Sequence, residues 1–165
     1  MEIAYLPTLI PFLKEKHLLL DTNVFRDAAV KPTIFNNFIN TLKAVGTTMA
    51  TIDLVKFELL KGSANKQKYS EKESFINQII DATIPLTPKA FELGYNLIQR
   101  YEIDGTAVHI TDLMLGALLM QYGKQICLLT RDTSDFSQNI FDLLFIVNAP
   151  HSKGIFTYGI YQYSK

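Results

Sequence analysis

At 165 residues, with 48% hydrophobic and 19% charged side chains, the chain has an ordinary globular composition, which excludes a charge-dominated disordered segment. Its length is most simply one domain over residues 1–165, able to bury roughly 70% of the surface its unfolded form exposes. A formal net charge of zero excludes the global attraction many nucleic-acid binders use, so any polyanion must be held locally.

Residues 1–16 read as an irregular or partly helical arm, with Leu9, Ile10, Phe12 and Leu13 able to pack on the body. The apolar start has no basic n-region or cleavage site, and two prolines interrupt it well short of a membrane span. We therefore expect a soluble, unprocessed, cytoplasmic protein with no membrane contact. The short run Leu18-Leu19-Leu20 fits a strand buried on both faces of a parallel sheet, and it ends abruptly at Asp21. A helix is expected from Lys31 to Gly46, with Pro32 in its first turn and Ile34, Phe35, Phe38, Ile39 and Leu42 at helical spacing. Residues 47–52 read as a second strand, with Asp53 as the cap of the helix that follows over 54–60 and carries Glu58.

Gly62-Ser63-Ala64-Asn65 breaks the chain before an amphipathic helix at about residues 69–80. Residues 83–86 read as a short edge strand because of Pro85, and Thr87-Pro88 opens a helix carrying Phe91, Leu93, Leu97, Ile98 and Tyr101. After a loop around Asp104-Gly105-Thr106, the next helix starts at Thr111 or Asp112. Its body is apolar nearly all round, so it should be the most buried. Residues 126–130 make a strand containing the only cysteine, Cys127, which reads as a small core residue of a cytosolic protein. A polar loop, 130–136, and one more strand, 143–147, follow. The aromatic tail after residue 154 reads as an edge strand or an oligomer contact. Strands alternating with helices point to a three-layer α/β/α sandwich with a mainly parallel central sheet.

On that scaffold Asp21 and Asp132 both follow strands, Asp112 opens a buried helix, and Glu58 rises from a partly apolar helical stripe. All four acids are placed to meet at one edge, where ligands of open α/β sheets collect. Taken singly, Asp21 and Asp112 also suit helix capping, Asp132 suits a turn, and Glu58 suits a solvated helix. Together they would repel by about 4 kcal/mol per pair at roughly 4 Å and an effective dielectric near 20. Such a cluster needs protons or cations. With no zinc-like spacing among His17, His109, His151 and Cys127, an oxygen-seeking Mg²⁺ or Mn²⁺ is the natural partner, and phosphodiester hydrolysis the chemistry it serves.

Leu20-Asp21-Thr22-Asn23, Glu58 in Val55-Lys56-Phe57-Glu58-Leu59, Asp112-Leu113-Met114-Leu115-Gly116-Ala117, and Thr130-Arg131-Asp132-Thr133-Ser134-Asp135-Phe136 resemble, in order and approximate spacing, the acidic motifs of PIN-domain ribonucleases. The nearest subgroup is the VapC-type toxins of bacterial toxin–antitoxin pairs. The resemblance implies a PIN-like fold, a Mg²⁺-dependent endoribonuclease acting on RNA, inhibition by a small antitoxin, and a possible homodimer. It implies Asp21 and Asp112 as principal metal ligands, Glu58 and Asp132 completing the site, and Asp135 as a loop organiser.

Lys56, Lys61, Lys66, Lys68 and Lys72 lie around the loop after Glu58, where they would either touch phosphates or simply be solvated. Arg131 is the better phosphate candidate because its planar fork binds bidentately. Thr22, Asn23, Thr111 and Thr130 are placed to orient the acids or a water, or to make turn bonds. Two rival readings stand beside the nuclease. A haloacid-dehalogenase-type phosphohydrolase usually needs a second Asp where this chain has Asn23, and a non-catalytic interaction module would leave the acids without a metal.

Overall fold

The run of leucines forms β1 (His17–Leu20), and residues 18–20 are all buried. Successive strand residues point to opposite faces, so burial of three in a row means that both faces of the sheet are covered. The same holds for β4 (Ile126–Thr130), where all five residues are buried, Cys127 among them. The computed structural model describes residues 2–103 and 108–164, so the expected loop around Asp104-Gly105-Thr106 lies outside the described residues.

Strands β2 (Thr48–Thr51), β3 (Ala82–Thr83), β5 (Asp142–His151) and β6 (Gly154–Gln162) complete a six-stranded sheet of order β3-β2-β1-β4-β6-β5. The first four strands in that order are mutually parallel, with Leu20 opposite Leu129 at the paired ends of β1 and β4. The last two form an antiparallel hairpin. The protein is thus an α/β fold in which four of the six strands are parallel.

The helices are α1 (Leu9–Leu13), α2 (Thr22–Val30), α3 (Pro32–Ala44), α4 (Asp53–Leu60), α5 (Lys66–Ile79), α6 (Pro88–Ile103) and α7 (Ile110–Tyr122). Leu9 and Leu13 anchor the arm in the core as expected, and Ala4 exchanges two backbone hydrogen bonds with Asn148. The arm thereby pairs part of the outer edge of β5, an edge that would otherwise offer unpaired amides and carbonyls. In α7, residues 111–119 are all buried. Among the described residues no helix is long and apolar enough to cross a membrane.

Four expectations change. Helix α2 is not among the expected elements, although Val24, Phe25 and Ala28 fall at helical spacing; nine residues give that pattern little length, and the polar Asp27 is itself buried. Asp53 does not cap α4. Ile52 occupies the cap position, and Asp53 is the first helical residue. The aromatic tail is neither an edge nor an appendage, because β6 inserts between β4 and β5 and buries Tyr158 and Tyr161 in the core. Within β6 residues 158–162 are buried, while Gly154, Ile155 and Thr157 at its hairpin end stay exposed. Finally, β3 covers only Ala82–Thr83, so Ile84, Pro85 and Leu86 lie outside the edge strand expected over 83–86; the helix after it, α6, buries Leu97 and Tyr101 and exposes Phe91, Tyr95 and Ile98.

Gly116 lies where α7 meets α6 and the loop before β5. A Cβ there would sit 2.9 Å from Phe141 Cζ and 3.1 Å from Leu97 Cδ1, and both neighbours are fully buried. Gly116→Val is therefore expected to lose about 2 kcal/mol to overpacking, a fall of roughly 4–8 °C in Tm, despite valine's better helix propensity. A melt no lower than wild type would show that this contact yields freely.

Candidate active site

The parallel ends of β1 and β4 set the geometry. Asp21 follows β1 directly and caps α2, accepting the Thr22 amide at 2.7 Å on Oδ1, while its backbone N–H donates to Leu129 across the strand pair. Its Oδ2 accepts the Thr130 hydroxyl at 2.7 Å and the Asn23 side-chain amide at 3.4 Å. Thr130 closes β4 and is wholly buried; its oxygen also accepts the Asp132 amide at 3.0 Å. One hydroxyl therefore fixes two of the expected acids, and Thr130 orients the site from beneath rather than facing a substrate.

Glu58 works differently. Its Oε2 accepts the Thr22 hydroxyl at 2.8 Å, and its Oε1 accepts that of Thr111 and lies 3.3 Å from His109 Nδ1. The carboxylate thus ties the first turns of α2 and α7 to α4. Asp112 sits in the first turn of α7 and is only 8% exposed, with His109 rather than Asp112 as the N-cap. The loop after β4 brings Asp132 and Asp135 against it, and carboxylate oxygens of Asp112, Asp132 and Asp135 all lie within 4.8 Å of one another.

Asp21, Glu58, Asp112 and Asp132 all line one open cleft of about 400 Å³, together with Asp135, Thr22, Asn23, Arg26, Lys61 and His109. The trio with the tightest spacing includes Asp135, which the motif reading treats as a loop organiser, and leaves Asp21 and Glu58 beside it. An all-oxygen donor set of this kind could hold a hard divalent cation. Arg26 and His109 were missed; both come from segments whose helical start or cap was not read. Lys61 lines the cleft as hoped, whereas Lys66, Lys68 and Lys72 are exposed on α5, with Lys68 paired to Glu71 at 3.5 Å. Arg131 is not among the cleft-lining residues. Its Nε is 3.1 Å from Asp27 and its guanidinium lies 4.2 Å from the Phe156 ring centre.

The electrostatics follow the geometry. Burial raises the Asp112 carboxyl to about 8, helped by the negative charge of Asp21 and by a hydrogen bond to Asp135. Burial also raises Asp21, against the lowering effect of its Thr130 and Thr22 hydrogen bonds. Asp135 is likewise raised, first by burial and then by contact with Asp132. Glu58 goes the other way: burial raises it, but the Thr111 and Thr22 hydroxyls and the neighbouring His109 and Arg26 outweigh that and hold it below the usual carboxylate range. Burial and close negative charge thus favour the protonated forms of Asp112, Asp21 and Asp135, while the donors around Glu58 favour its charged form.

No protein-family model matches the chain, and no curated protein matches it. Solved structures do. Likeness to solved structures gives the chain a VapC-like PIN fold within the α/β class. The structures it is similar to include VapBC2 from Rickettsia felis bound to a DNA fragment from its promoter, at TM-score 0.50 and 23% identity over 61% of this chain and 78% of that one. DNA-bound VapBC from Salmonella typhimurium is similar at TM-score 0.52 and 16% identity, over 67% and 83% respectively.

An acid whose pKa is raised on folding stabilises the folded state fully below its unfolded value, and that contribution is lost as pH rises through the folded value. For Asp112 the window runs from about 4 to about 8. With divalent ions chelated, the Tm of the protein is expected to fall between pH 5 and 8, and Asp112→Asn to flatten that slope and raise Tm at pH 8. A wild-type Tm that climbs over the same range would mean that the carboxyls do not share a crowded site.

Proposed function

We propose that this protein is a metal-dependent endoribonuclease that hydrolyses RNA phosphodiester bonds, built as one PIN-like domain over residues 1–165, and that it acts in the cytoplasm as the toxin of a type II toxin–antitoxin pair. The observation that carries the reading is the convergence of five acids in one cleft at the carboxyl ends of β1 and β4. The fold likeness to VapBC complexes supports it.

Asp112, Asp132 and Asp135 would hold Mg²⁺ or Mn²⁺, with Asp21 completing the negative surface from the adjacent strand end. The donor set fits such an ion, because the burial and neighbouring negative charge that lift Asp112 to about 8 would be offset by a divalent cation as well as by protons. Bound there, the ion would supply Lewis acidity to a phosphoryl group and acidify a water. The chain's own residues do the rest. Thr130 and the Thr22 amide hold Asp21 in one orientation, Glu58 locks the first turns of α2 and α7 together, and Arg26, Lys61 and His109 offer positive charge to phosphates entering an otherwise acidic cleft. A small antitoxin would act by covering or filling this cleft. A homodimer is the use we assign to the exposed stripe Phe91, Tyr95 and Ile98 on α6.

Purified protein is expected to cut RNA only with Mg²⁺ or Mn²⁺, and Asp21→Asn or Asp112→Asn to reduce cleavage by at least about 100-fold while the folded circular-dichroism signal is kept. Full cleavage by Asp21→Asn protein, or by wild type in excess chelator, would refute the assignment. The toxin role has its own test: expression should arrest growth, and co-expression of a small protein encoded beside it should relieve the arrest and co-purify. An adjacent product that neither binds nor relieves would leave a nuclease without the toxin role. A non-catalytic module would show no thermal shift with Mn²⁺, whereas a specific ligand at 100 times its dissociation constant adds about 2.7 kcal/mol.

A further inference from the structure

The loop that carries Asp132 and Asp135 is gripped from outside the cleft by groups the reading above does not use. Asp27, on α2, is 4% exposed. Its Oδ2 accepts the Tyr158 hydroxyl from β6 at 2.6 Å and lies 3.1 Å from Arg131 Nε. The Arg131 guanidinium is 4.2 Å from the centre of the Phe156 ring, and His151 stacks on that ring at 3.9 Å with 16° between the planes. The Arg131 amide meanwhile donates to Asn23 Oδ1 at 3.1 Å. Arg131 immediately precedes Asp132, so both its backbone and its side chain are tied down one residue from a cleft carboxylate.

Buried charge is costly unless paired, and Asp27 is paired from two sides. Replacing this carboxylate, its tyrosine and its arginine by apolar groups would fill the same space at less cost in desolvation. What the polar set provides is direction: a planar guanidinium held by an oxygen at one side and by a ring against its face has little freedom. The β5–β6 hairpin contributes Tyr158, Phe156 and His151, and so braces a loop it does not adjoin in sequence.

We propose that Asp27, Tyr158 and Arg131 form a positioning network that sets Asp132 and Asp135 relative to Asp112 at the metal site, and that Arg131 is therefore a positioning residue rather than a substrate contact. The proposal rests on the metal-dependent reading of that cleft. Outer partners of ligating groups characteristically change metal affinity or activity by roughly 10–100-fold when removed.

The test compares wild type, Tyr158→Phe, Asp27→Asn, Arg131→Gln and the double variant Asp27→Asn/Arg131→Gln by Mn²⁺ titration calorimetry and by steady-state RNA cleavage. Each single variant is expected to weaken Mn²⁺ affinity by roughly 10-fold and to lower kcat with KM unchanged. The double variant should be no worse than the poorer single one, because the residues act as a unit. Tyr158→Phe removes one hydroxyl and keeps the ring, so it decides the question if Asp27→Asn fails to fold. Unchanged Mn²⁺ affinity in the variants, no Mn²⁺ binding by wild type, additive losses in the double variant, or a raised KM with normal kcat for Arg131→Gln would each overturn the proposal. Wild-type protein that binds Mn²⁺ but cuts no RNA would sink the nuclease reading alone, because the Mn²⁺ affinities still judge the network.

Discussion

Repulsion among carboxylates is the constraint to which the rest of this structure answers. Five acids share one cleft, and unit charges roughly 4 Å apart oppose one another by about 4 kcal/mol even at an effective dielectric near 20. Local devices offset part of this. Asp21 caps α2 and Asp112 lies in the first turn of α7, where a helix terminus favours negative charge by about 0.3–1 kcal/mol each. Hydroxyls of Thr22, Thr111 and Thr130 donate to Asp21 and Glu58. These amounts do not offset burial and mutual repulsion together, and Asp112, Asp21 and Asp135 are pushed towards their protonated forms, by burial first and by neighbouring charge second. A fold selected only for stability would replace such a set with neutral side chains.

The division of labour among the acids follows from where their oxygens are already engaged. Glu58 has both oxygens in hydrogen bonds to threonines on other helices, so it serves the architecture of the cleft whatever else it does. Asp21 is held by a hydroxyl and an amide from beneath. Asp112, Asp132 and Asp135 keep oxygens facing one another. This last group could accept a cation without breaking the hydrogen bonds that hold the first turns of α2 and α7.

The parallel half of the fold was legible because its signal is local. Runs such as Leu18-Leu19-Leu20 and Ile126-Cys127-Leu128-Leu129 are apolar on both faces, and they end in polar residues where the strands end. Pairing is not local, and that is where the reading failed. The aromatic segment 154–163 reads as an edge strand or an oligomer contact, and nothing in it says that β6 enters between β4 and β5. In helix α2 the apolar spacing of Val24, Phe25 and Ala28 is present but short, and the burial of Asp27 could not be read locally, since among the described residues its side chain is satisfied by Tyr158 and Arg131, more than a hundred positions away. For the same reason spacing could bring the acids to one sheet edge but could not say which of them face one another. Asp135 enters the close trio through a turn whose geometry depends on Thr130, Tyr101 and Ser134.

A zero net charge gives the chain no long-range attraction for a polyanion and an acidic cleft would repel one locally, so on the proposed ribonuclease reading affinity for RNA has to be created within the site. Arg26, Lys61 and His109 stand around the acids, yet His109 and Arg26 already act on Glu58, and Arg131 is turned away to Asp27. That leaves Lys61 as the cleft-lining cation to which the described hydrogen bonds, ion pairs and charge effects assign no carboxylate, against three acids whose repulsion it cannot cancel. A divalent ion bound as proposed would change this balance in two ways at once, by displacing the protons that burial and neighbouring charge favour and by presenting positive charge where a phosphate would approach. In this protein the same ion would thus decide both whether the substrate is attracted and whether the acids are free to act.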